Sequence, residues 1–182
     1  MKKINLLFFA FVAITATLTF TACQSDDDDK PTDEQELITT IELTFVDGNG
    51  QSYTFTASDT DGDGGNPPVV DDIQLPANTS FALSAAFRDE SGSTPIDITE
   101  EVEEEAAEHL VCYETSGAIA APTNLDVDAN GDPLGLNATI STGDAGAGTL
   151  RITLKHEPAK DNANPCSTGE TDADQTFAVT VQ

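Results

Sequence analysis

Beyond residue 36 the chain mostly alternates apolar and polar residues, the period of a half-buried strand. Residues 37–46 read L-I-T-T-I-E-L-T-F-V, Asp47-Gly48-Asn49-Gly50 forms a hairpin turn, and 51–57 is the returning strand. Residues 69–75 and 80–88 are two further strands, separated by Pro76-Ala77-Asn78. The same alternation marks 110–115, 124–128, 134–141, 148–156 and 175–181, with Gly, Pro, Asn and Asp between them. Nine short strands in one stretch predict a single all-β domain over 37–182. The expected form is an Ig-like β-sandwich of about seven to nine antiparallel strands.

One segment breaks this period. Ile98, Val102, Ala106 and Leu110 recur every four residues, which makes a narrow apolar stripe on a short acidic helix of about eleven residues. Thr99 reads as its N-cap, with Glu100 and Glu101 in the first turn, where the helix dipole favours negative charge. Glu101 faces Glu105, and Glu104 faces Glu108, each pair costing roughly 0.2–0.5 kcal/mol. A helix this short needs packing or a bound cation to hold it. Glu101, Glu105 and His109 share one further face.

The N-terminal end follows neither pattern. Met1-Lys2-Lys3 and the apolar run 4–20 lead to Phe20-Thr21-Ala22-Cys23, which reads as a lipoprotein signal peptide over 1–22 with lipidation at Cys23. Residues 23–36 are polar and acidic and read as a disordered tether. After cleavage, five basic residues stand against 33 acidic ones, a net charge of −28. Such a chain is repelled by nucleic acid and attracts cations. Cys112 and Cys166 remain after lipidation and are expected to pair as a disulfide in an oxidising compartment.

Three groups of residues carry candidate chemistry. Asp59, Asp61 and Asp63 precede Gly64 in the spacing of half an EF-hand loop, and Asp126, Asp128 and Asn130 precede Gly131 in the same way. Alternate side chains of a tight turn converge on one point, so both loops are calcium candidates. Val70 stands where the loop's bidentate glutamate belongs, and Asn130-Gly131 also reads as a hairpin turn. The third group is His109 and His156, assisted by Glu105 or Glu108. The disulfide favours their proximity, and imidazole with carboxylate suits zinc or copper. No nucleophile elbow, phosphate loop, H-E-x-x-H or basic patch is present, so nothing points to an enzyme.

Two resemblances add to this reading. Ser25 and Asp26 to Asp29, close behind Cys23, resemble the acidic export signal of Bacteroidota surface lipoproteins. That resemblance implies display on the outer leaflet of the outer membrane. Asp59 to Gly65, I-T-E-E-V-E-E-E-A-A-E-H at 98–109, L-K-H-E-P at 154–158 and the terminal G-E-T-D strand at 169–181 are similar to a family of small Flavobacteria-type lipoproteins. Members are often labelled "type 1 periplasmic binding fold superfamily". The label implies a two-lobed α/β protein, for which this chain is too short and too rich in strands. Cys112 and Cys166 depart from the family, which carries no activity to transfer.

The expectation is a non-enzymatic surface lipoprotein that binds a metal ion or metal complex and serves an outer-membrane transporter. The rival is an Ig-like adhesion or glycan-binding module with calcium-stiffened loops. The absence of Trp, with only Tyr53 and Tyr113, weighs against a glycan platform.

Overall fold

The computed structural model describes residues 36–62 and 65–182. The signal peptide, Cys23, the tether up to residue 35 and Asp63 lie outside the described residues.

In chain order the elements are β1 (Thr40–Asp47), β2 (Ser52–Ser58), β3 (Val69–Val70), β4 (Ile73–Leu75), β5 (Ser80–Asp89), β6 (Ile96–Asp97), α1 (Thr99–Glu104), β7 (His109–Gly117), β8 (Asn137–Ser141), β9 (Gly146–His156) and β10 (Glu170–Val181). One sheet runs β3-β2-β1-β5, with β6 and β8 pairing separate stretches of β5. The other runs β4-β10-β9-β7. All pairs are antiparallel except β4 with β10. The chain is therefore an all-β sandwich with one short helix, as the alternation predicts.

The core follows from that alternation. Ile41, Leu43 and Phe45 of β1 and Phe81, Leu83 and Phe87 of β5 are buried on one sheet. Leu150, Ile152 and Leu154 of β9 and Phe177 and Val179 of β10 are buried on the other. Phe45 meets Phe55 and Phe81 edge-to-face, each at 6.0 Å. Each such side chain contributes about 1.5–3 kcal/mol by leaving water.

Several elements differ from expectation. The strand expected over 69–75 is two strands in different sheets. Asp71 marks the crossing, where its Oδ2 accepts hydrogen bonds from the N–H (2.8 Å) and hydroxyl (3.1 Å) of Thr56. Residues 124–128 make only isolated bridges, and the strand expected over 134–141 shortens to β8. The helix has six residues rather than eleven. Thr99 is not its cap: its hydroxyl accepts the Phe87 N–H at 2.9 Å, and Ile98 holds the cap position without a side-chain bond. Repulsion along a glutamate-rich segment favours an early end, and β9 recruits the following residues into β7. His109 and Leu110 are therefore strand residues. Cys112 on β7 is disulfide-bonded to Cys166 in a 3-10 turn (Pro165–Ser167), with the Cα atoms 5.9 Å apart.

Candidate metal centre

Strand register builds the centre. β7 and β9 pair so that His109 lies directly opposite His156. Both continue the inward-facing rows of their strands, Val111 on one and Ile152 and Leu154 on the other. The imidazoles stack at one end of the core, their centroids 4.8 Å apart and their planes 8° from parallel. The backbone beyond is tightly drawn. Glu157 N–H donates to the Glu108 carbonyl at 2.7 Å, and Glu157 sits at φ +46°, uncommon for a residue with a side chain. Gly169, at φ +70°, passes so close to the His156 carbonyl that a Cβ there would collide with it.

A third group arrives through an irregularity. β10 pairs with β9 in register up to Thr171↔Lys155 and resumes one residue out of step at Ala173↔Leu154. Asp172 is the extra residue of this β-bulge. Bulges re-aim side chains, and this one turns a carboxylate inward beside the two histidines. His109, His156 and Asp172 each offer a ligand atom, all within 4.8 Å of one another.

The fourth group precedes the sandwich. Glu36 lies four residues before β1. Its Oε1 stands 3.5 Å from His109 Nε2, too far for a well-made hydrogen bond but close for opposite charges. Glu36, Glu105 and His109 form a second set of ligand atoms within the same 4.8 Å, with Glu105 at the exposed rim.

Hydrogen bonding leaves these groups unsatisfied. His109 is fully buried, and its Nδ1 lies 3.2 Å from the Glu105 carbonyl oxygen. A carbonyl can only accept, so Nδ1 carries the proton and Nε2 faces the cluster. A backbone carbonyl in this position is the usual second partner of a metal-ligating histidine. His109 Nε2, Glu36 Oε2 and both Asp172 carboxylate oxygens are buried without a hydrogen-bond partner. Among the described residues no other buried side-chain polar atom lacks one.

The electrostatics agree. Burial works against charge on His109, but Glu36, with the Glu105 carbonyl and Asp172, outweighs it and holds the pKa above the ordinary histidine value. Burial, with the neighbouring Glu36 charge, raises the Asp172 carboxyl, and the histidines offset this only in part. No lysine or arginine among the described residues bonds to the cluster. Arg88 pairs with Glu42, Arg151 with Glu114 and Asp174, and Lys160 with Asp128, while Lys155 donates to Thr171. A cavity of about 300 Å³, lined by Glu36, Thr39, Asp59 and Asp172 among others, opens beside the cluster.

The structure thus brings the two expected histidines together and adds Asp172 and Glu36. Glu108 contributes its backbone carbonyl to Glu157, and its carboxylate is not among the clustered ligand atoms. Neither aspartate loop forms a comparable cluster among the described residues. Asp59 Oδ1 accepts the Gly62 N–H at 3.1 Å, and Asp61 Oδ2 accepts both Asn66 donors, at 3.0 and 2.7 Å. In the second loop Asp126 accepts from Gly135 N–H and the Asn137 amide. Asp128 accepts from the Asn130 and Asp132 N–H groups and pairs with Lys160, and Asn130 enters through its backbone. These carboxylates serve as turn acceptors and counter-ions.

The signal for Asp172 was present but weak: an inward polar residue in a strand of alternating pattern, in T-D-A-D. Glu36 carried no distinguishing signal, because it ends a run of polar residues. Compared with protein-family models, with curated proteins and with solved structures, the chain matches none of them.

Proposed function

We propose that this protein is a lipid-anchored, non-enzymatic lipoprotein of the outer-membrane surface. Its task is to bind a divalent transition-metal ion, zinc or copper, through His109, His156 and Asp172. The observation that carries the metal reading is that the buried polar atoms without a hydrogen-bond partner, on Glu36, His109 and Asp172, fall in two candidate ligand sets that share His109, with no lysine or arginine bonded to them. Buried polar groups in folded proteins nearly always have partners, and a cation is a partner that suits each of these groups. Placement at the surface rests on Phe20-Thr21-Ala22-Cys23 and the Ser25–Asp29 run. An accessory role beside an outer-membrane transporter follows from that placement together with a metal-binding task.

The ligand atoms of one tetrahedral zinc lie roughly 3.3 Å apart, from metal–ligand bonds of about 2 Å. The cluster, spanning up to 4.8 Å, must therefore contract. An ion in the plane of one imidazole lies out of the plane of a ring stacked parallel to it. One ring must turn, and His156 is the one not held by the Glu105 carbonyl. Binding requires neutral imidazoles, so affinity falls as pH drops through the histidine range.

Calorimetric titration of zinc and copper into wild type, His109→Ala, His156→Ala and Asp172→Asn tests the proposal. Each variant should lose the high-affinity event. Equal binding by all four proteins would assign the metal to the diffuse acidic surface. Protease treatment of intact cells should remove the protein, and Cys23→Ala should release it from the membrane fraction. Protection until lysis would refute surface display.

A further inference from the structure

We propose that Glu36 is the closing ligand of the centre, so that two histidines and two carboxylates form a cage for a small bare divalent cation and exclude chelated metal complexes. This rests on the metal reading above and narrows it to one ligand class.

The alternation of the chain leading into β1 supplies the first reason. Ile38 packs against the core and Leu37 is 56% exposed, so the period of two turns Glu36 inward. A glutamate thereby occupies a position where the pattern calls for an apolar residue. Its side chain is only 10% exposed, and Oε2 is enclosed with no partner. Downstream the segment is fixed: Thr39 N–H donates to the Arg88 carbonyl at 3.0 Å, and Asp59 N–H donates to the Thr39 carbonyl at 2.8 Å. Glu36 is therefore held three residues from a pinned point, with its carboxylate toward His109 Nε2.

Charge supplies the second reason. Glu36 lies beside His109, and Asp172 lies beside both histidines, so two carboxylates flank the pair. Two enclosed carboxylates with no lysine or arginine between them are the arrangement a divalent ion stabilises and a neutral or anionic ligand does not. The adjoining cavity adds Asp59 to the same wall. A hydrated cation is drawn toward three carboxylates. A metal already wrapped in an anionic chelator is repelled by them, and at about 300 Å³ the cavity is at the small end for organic ligands and lined in part by acids.

The count of ligands decides the use. Three protein ligands leave a coordination position for water or substrate, whereas four close the shell. A closed shell sequesters the ion and does no chemistry on it. Because the fourth ligand lies ahead of β1, occupancy also fastens the segment entering the sandwich.

Cobalt(II) reports this directly, since four-coordinate cobalt absorbs visible light much more strongly than five- or six-coordinate cobalt. Wild type, Glu36→Gln and His109→Ala would be titrated with cobalt, then with zinc in competition. Wild type should give the intense four-coordinate spectrum. Glu36→Gln, isosteric and outside the strands, should bind at least about tenfold more weakly and show the weak spectrum of a shell opened to water. Identical affinity and spectrum in wild type and Glu36→Gln, with binding lost in His109→Ala, would overturn the role of Glu36 and leave the metal centre standing. Undiminished binding by His109→Ala would remove both. Haemin, the probe for a bulky anionic complex, should show no shift of its Soret band with wild type. A shift that His109→Ala abolishes would overturn the selection for a bare cation.

Discussion

Removing Asp172's charge should make the metal-free protein more stable. Both carboxylate oxygens are buried without a donor, and burial raises the pKa of the group. An unsatisfied buried polar atom costs about 1–3 kcal/mol. The residue as a whole is half-buried, which argues for the lower part of that range, about 1–2 kcal/mol. At this domain size that is roughly 3–8 °C in melting temperature. Asp172→Asn keeps the volume and the bulge and removes the charge. In chelator at neutral pH the variant should melt above wild type. In zinc at a hundred times its dissociation constant wild type gains about 2.7 kcal/mol, and the variant gains little. The order of the two melting curves should therefore invert when metal is added. The pH dependence has a definite sign. A raised carboxyl pKa means the folded state binds the extra proton, so wild-type stability falls as pH rises from the unfolded value of about 4 through the folded one. The variant's advantage should be full above that window and vanish below it. A metal-free variant that melts below wild type would refute the reasoning, because it would show that the carboxylate is stabilising without an ion.

Other expectations follow from particular contacts. Replacing both Cys112 and Cys166 with alanine opens a link across 54 residues and should cost roughly 4 kcal/mol in the chain-entropy account, read as a lower urea midpoint. Burial alone would raise the Asp128 carboxyl, but Lys160 and the Asp132 and Asn130 N–H groups outweigh it and hold the pKa down. Its stabilising contribution is present above the unfolded carboxylate value and lost as pH falls through the depressed folded one. Asp128→Asn should accordingly be less stable than wild type at pH 7, and urea melts at low pH should show the gap closed. Asp126→Ala should lower the melting temperature equally in calcium and in chelator, because its oxygens serve Gly135 and Asn137. A loss confined to calcium would restore the ion-binding reading of that loop. Zinc should shift the His156 ring resonances more than those of His109, whose Nδ1–H is already held by Glu105.

The sandwich was legible because its strands obey one rule locally. Leu43 and Phe45, or Leu150 and Ile152, alternate with polar neighbours whatever their distant partners are. The helix was misjudged in length because Leu110 fits both a stripe of four and a strand, and pairing with β9 decides between them. The histidines were foreseeable as a pair through the cysteines near them. Asp172 and Glu36 were not, since their roles depend on register. Asp172 faces inward only because β10 slips by one residue. Glu36 faces inward only because β1 begins where Thr39 meets Arg88. Acid residues are so common here that neither stands out by type, with 33 in the chain. The aspartate loops are ambiguous for a related reason. The same Asp and Gly spacing closes a turn on its own backbone or wraps an ion, and the difference lies in which donors the rest of the fold supplies.

The bulge at Asp172 also bears on how such a centre is gained and lost. The ladder is regular on both sides of it, with Thr171 opposite Lys155 and Ala173 opposite Leu154. Deleting this one residue would close the ladder into a continuous run and leave each remaining side chain on its present face. The carboxylate thus sits on one extra residue in a ladder that is regular without it. A lineage could discard the centre by a single in-frame deletion and keep the sandwich, or acquire it by the reverse event. Under the proposed metal reading, related sandwiches with intact cores would divide by the presence of that residue, which overall similarity would not reveal.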